Sequence, residues 1–108
     1  MTQNYPARRF KPRLLTKIVA ASGTPEALGA NTVRMAGLTF YAQNALSTPN
    51  AGNVTIQLDG VDAIVLEPDD VWTWTAPTYE AGYYLASDWT IKVATNGDGV
   101  RVLYSELQ

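Results

Sequence analysis

Apolar and polar residues alternate strictly over several short stretches of this chain. In NVTIQLDG, Val54, Ile56 and Leu58 fall on one side, and Asn53, Thr55, Gln57 and Asp59 on the other. That is the period of a half-buried strand. Asp59-Gly60 ends it with a hairpin-type turn. AIVLE runs on with Ile64 and Leu66 on the inner face until PDD stops it. VWTWTA sets Trp72 and Trp74 against Val71, Thr73 and Thr75, and WTIKVA aligns Trp89, Ile91 and Val93. NGDG is the next turn, and VRVLYSE closes the chain with Val100, Val102 and Tyr104 in step. The phases predict one core holding Val54, Ile56, Leu58, Ile91, Val93, Val100 and Val102 together with Trp72 and Trp74.

Upstream, LLTKIVAA reads as a first strand. VRMAGLTFYAQ reads as another whose phase slips at Gly37, with Val33 and Met35 in step before it and Leu38, Phe40 and Ala42 after it. A bulge at Gly37 reconciles the two halves. TPEALG offers Thr24 as a cap, Pro25 at a first helical position and Gly29 beyond, enough for one helical turn. No window sustains a helical period. Seven or eight short strands spaced by turns are the pattern of a compact antiparallel sandwich or barrel. The expected fold is all-β, an antiparallel β-sandwich of jelly-roll or Ig-like type. Its long loops, residues 43–53 and 76–88, are where recognition would sit.

The 108 residues suffice for one domain. Charge is divided unevenly along them. Residues 1–25 hold five positive charges and no negative one; residues 26–108 hold three positive and ten negative, a balance of −7. Pro6 and Pro12 push Tyr5 and Lys11 away from helical angles. Residues 1–13 are therefore expected to form an extended basic arm, able to reach roughly 40 Å, ahead of a sandwich domain at 14–108. On that division, a chain starting at Leu14 should melt almost like the whole. No apolar stretch follows the basic residues, so no secretory signal is expected, and no run approaches the ~18 apolar residues of a membrane span.

Chemistry is hard to find. There is no cysteine and no histidine, so disulfides, thiol chemistry and the usual general base are all missing. The acids Asp59, Asp62, Glu67, Asp69, Asp70 and Asp88 fall at strand ends and turns, where Asp serves backbone geometry. LDGVDA, EPDD and NGDG are oxygen-rich but lack the spacing of a calcium loop. The expectation is no enzyme, no catalytic residue, no metal and no cofactor. Trp72 and Trp74, with Tyr79, Tyr83 and Tyr84, could stack on sugar rings, but core packing is the preferred reading for the tryptophans. The loop tyrosines read as contact residues. The arm could neutralise phosphates, but the acidic body would repel a polyanion, so an acidic protein surface is the better partner. The predicted partner-binding residues are Tyr5, Arg8, Arg9, Phe10, Lys11, Arg13, Tyr79, Tyr83 and Tyr84.

Four stretches together, KIVAASGTPEALG, LTFYAQNALSTPNAGNVTIQLDG, VLEPDDVWTWTA and SDWTIKVATNGDGVRVLYSE, resemble small β-sandwich structural proteins of tailed bacteriophages. Among those are capsid decoration, or cement, proteins. The resemblance rests on turns and alternations, and Asp69-Asp70 stands after Pro68 where such proteins usually show Gly-Glu. It implies a non-enzymatic virion protein on the capsid surface, binding the major capsid protein or a neighbouring virion protein through its arm and loops. It also implies a homo-oligomer, a trimer for preference, with no nucleic acid and no membrane. A carbohydrate-binding module and a tail or connector component are the alternative readings.

Overall fold

The computed structural model describes residues 10–44, 48–74 and 84–107. It is a sandwich of two antiparallel sheets. The strands in chain order are β1 (Phe10–Ile18), β2 (Glu26–Ala27), β3 (Arg34–Tyr41), β4 (Val54–Leu58), β5 (Val61–Leu66), β6 (Val71–Trp74), β7 (Tyr84–Leu85), β8 (Trp89–Val93) and β9 (Gly99–Leu107). One sheet runs β1-β9-β3-β6, with β7 also on β3, and the other runs β2-β8-β4-β5. The Lys17–Glu26 ion pair joins β1 to β2, while rings of β3 and β6 meet Trp89 on β8. The sheets therefore stack face to face with β1 above β2 at one end, and β5 lies at the end of the second sheet farthest from β2.

The alternation reads through to the core. Val54, Ile56, Ile91, Val93, Val100 and Val102 are buried, as are Met35, Leu38, Phe40 and Trp89. Leu58, Trp72 and Trp74 are partly buried against this cluster. Asp59 and Gly60 both take positive φ, 52° and 77°, in the tight turn between β4 and β5. Gly37 sits at φ 61°, where β3 shifts register against β9 between Ala36 and Thr39. The extra residue is what lets Met35 and Leu38, three apart, share the inner face.

Three expectations change. The TPEALG helical turn is instead β2, paired with Ile91 and Thr90 of β8. Lys17 Nζ donates to Glu26 Oε1 at 2.9 Å, the Ala20 N–H to Glu26 Oε2 at 3.3 Å, and the Leu28 N–H to the Trp89 carbonyl at 2.8 Å. Those tertiary bonds outweigh the local capping preference. The expected boundary at Leu14 falls inside β1, because residues 10–13 pair with Leu107, Glu106, Ser105 and Tyr104. Pro12 does not end the strand, since an edge strand tolerates a missing N–H on its open side. The strands number nine among the described residues; β2 and β7, two residues each, are too short for any periodicity to reveal.

Candidate partner-binding surfaces

The acids mostly hold the fold. Asp98, 5% exposed, accepts the Ala51 N–H at 3.0 Å and the Gly52 N–H at 2.8 Å, one on each carboxylate oxygen. Beside it the Asn50 amide donates to the Gly99 carbonyl at 2.7 Å and accepts the Gly99 N–H at 3.1 Å. The 48–53 loop is thereby fastened to the β8–β9 turn. Asp70 accepts the Glu67 N–H at 3.0 Å and Asp88 the Leu85 N–H at 2.9 Å, each three residues away. Asp62 accepts from Gln57 and Asp69 from Gln43. The Asp70 and Asp88 bonds are the local turn bonds that Asp forms readily, whereas those of Asp98 and Asp69 tie together segments distant in sequence. No group of three or more potential metal-ligating acids occurs among the described residues.

The basic segment leads into β1. Lys11 is exposed, and Arg13 Nε contacts Glu106 Oε1 across the ladder at 3.2 Å, its side chain 46% exposed. Lys17 is held by Glu26. The hydrogen bond from Lys17, assisted by its charge and by the Ala20 N–H and opposed by desolvation, draws the Glu26 carboxyl below its ordinary range. Burial first, then the Glu106 charge, pushes the Tyr104 hydroxyl upward, with Arg13 pulling the other way. Among the described residues β1 pairs with β9 alone, so its other edge is open.

Phe40, Trp72, Trp74, Tyr84 and Trp89 form one cluster. Trp72 stacks on Phe40 with centroids 5.6 Å apart, lies 6.1 Å from Trp74, and meets the edge of Trp89 at 6.3 Å. Tyr84 meets Trp89 at 5.3 Å and Trp74 at 6.3 Å. Such tilted and edge contacts fill a core, whereas a sugar platform needs coplanar open faces. Tyr84, expected as a loop contact, is thus a half-buried strand residue of this cluster. Among the described residues, no acceptor reaches the buried indole N–H groups of Trp74 and Trp89.

Of the other expected contact residues, Phe10 opens β1, while Tyr5, Arg8, Arg9, Tyr79 and Tyr83 lie outside the described residues. The structure adds a surface the sequence reading missed. On the outer face of the first sheet, Leu14, Leu103 and Val71 are exposed. Leu14 and Leu103 are cross-strand partners; with Tyr41, Gln43 and Arg101 they line a shallow groove of about 250 Å³. Leu103, apolar but out of phase between Val102 and Tyr104, was the available signal. No protein-family model, curated protein or solved structure matches this chain.

Proposed function

We propose that this chain is a non-enzymatic structural protein of a bacteriophage particle, a decoration protein that holds the outer face of the head shell. Its partner is the major capsid protein or a neighbouring virion protein, and copies of the chain lie side by side on that surface. The observation that carries this reading is β1. A basic N-terminal segment leads in the sequence into a strand that, among the described residues, pairs on one side only, with Lys11 and Arg13 exposed along it. Meanwhile the carboxylates of Asp62, Asp69, Asp70, Asp88 and Asp98 hold neighbouring groups. The accessible chemistry is that of a contact surface. The turn and strand motifs quoted above support placing it on a phage shell.

The test is co-sedimentation with undecorated shells, using the whole chain and a chain beginning at Phe10. The whole chain should pellet with the shells, the shortened one should do so weakly, and added salt should weaken attachment only in part because apolar contacts persist. Failure of the whole chain to pellet defeats the reading. Tryptophan emission addresses the sugar-binding alternative. Rings packed as these are should emit blue-shifted and ignore added oligosaccharides; red-shifted emission that responds to sugar would favour the carbohydrate module.

A further inference from the structure

Charge is segregated across the sandwich. At one end β1 carries Lys11, Arg13 and Lys17, with Glu106 beside Arg13 and Glu26 beside Lys17; Arg8 and Arg9 precede it in the chain. At the other end, the β4–β5 turn, β5 and the β5–β6 connection carry Asp59, Asp62, Glu67, Asp69 and Asp70. No lysine or arginine lies between Arg34 and Lys92 in the sequence, so nothing in that run offsets them. Both ends finish in a strand, β1 or β5, that pairs on one side only among the described residues.

We propose that the chain associates with itself head to tail, the β1 edge of one copy against the β5 edge of the next. Opposite potentials steer this contact and set its orientation. The two isologous alternatives, β1 on β1 and β5 on β5, bring like charges together. Pro12 has no N–H to give, and β5 shifts register against β4 between Ile56 and Gln57, so both edges resist a long shared ladder. The contact is accordingly weak and salt-sensitive. Being heterologous, it leaves an unused edge at each end of a pair and either closes a ring or continues as a row. It rests on the virion reading for its setting, a surface that holds copies at high local concentration.

The test uses the full chain without shells, in sedimentation equilibrium at low and high ionic strength. Mass above the monomer is expected at low salt and high concentration, with affinity falling about tenfold or more when the charges are screened. Lys11→Glu with Arg13→Glu makes both edges acidic; Asp62→Lys and Glu67→Lys combined with Asp59→Asn and Asp69→Asn, which leave Asp70 as the only acid of that group, make both basic. Each variant alone should be monomeric, and an equimolar mixture should associate again, since every β1–β5 contact in an alternating row is then complementary. Thermal melts report whether each variant folds, and if the β1 variant does not, the β5 variant alone decides. A wild type that stays monomeric at low salt, charge reversals that leave its mass unchanged, or a mixture that does not associate would overturn the proposal. A monomer that still pellets with shells defeats this contact and leaves the virion reading standing.

Discussion

Removing residues 1–13 separates a free arm from a structural strand. The structure ties residues 10–13 to Leu107, Glu106, Ser105 and Tyr104 of β9. Half the pairs of an antiparallel ladder exchange two bonds each, so these four pairs contribute about four bonds, none of which needs an N–H from Pro12 on the open side. At about 0.5–1.5 kcal/mol net per bond, and toward the low end at a solvated edge, this is worth about 2 kcal/mol. The exposed Arg13–Glu106 pair adds about 0–1 kcal/mol. The expected loss is therefore about 2–3 kcal/mol, which in a domain of this size lowers the melting temperature by about 10 °C. Differential scanning calorimetry of the whole chain and of a chain beginning at Leu14 measures it directly. Arg13→Ala in the full chain isolates the ion pair and should cost at most about 1 kcal/mol. A shift under about 2 °C on truncation would place the domain boundary at Leu14 after all and refute the pairing of residues 10–13.

The remaining predictions concern the core, the backbone and pH. Ile56→Ala should destabilise by about 2–5 kcal/mol in urea titration, because Ile56 is fully buried, while Thr55→Ala on the opposite face should be nearly silent. A Cβ at residue 99 would collide with the Lys17 carbonyl oxygen across the β1–β9 ladder. Gly99→Ala should therefore cost about 3 kcal/mol or more, whereas Gly37→Ala, strained in φ but facing open space, should cost about 1–2 kcal/mol. Glu26 binds its proton less readily folded than unfolded. Its contribution is present above the ordinary glutamate value near 4.5 and is lost as pH falls through the lower folded value. Lys17→Met should flatten that acid limb of the stability profile; an unchanged limb would mean that the pair does not form in solution.

What could be read from the sequence follows from how far each feature is decided locally. Period-two alternation depends only on one face being buried, so β4, β8 and β9 and their inward residues were legible. Gly37 was legible because a phase slip leaves a mark on both sides of it. The fate of TPEALG was not, since its capping pattern is local while the bonds that make it β2 come from β8, more than sixty residues on. The start of β1 was obscured for a related reason. Pro12 is a strong local signal against a strand, and only the sheet order shows that it occupies an edge, where a missing N–H costs little. The charge split was visible in composition, but its use depends on topology. Had β1 and β5 been neighbours, the same residues would have neutralised one another within a single chain. Because strand order puts them at opposite ends, the attraction can be satisfied only between molecules. A body carrying −7 beyond its first 25 residues thus offers its own basic edge a partner in every other copy.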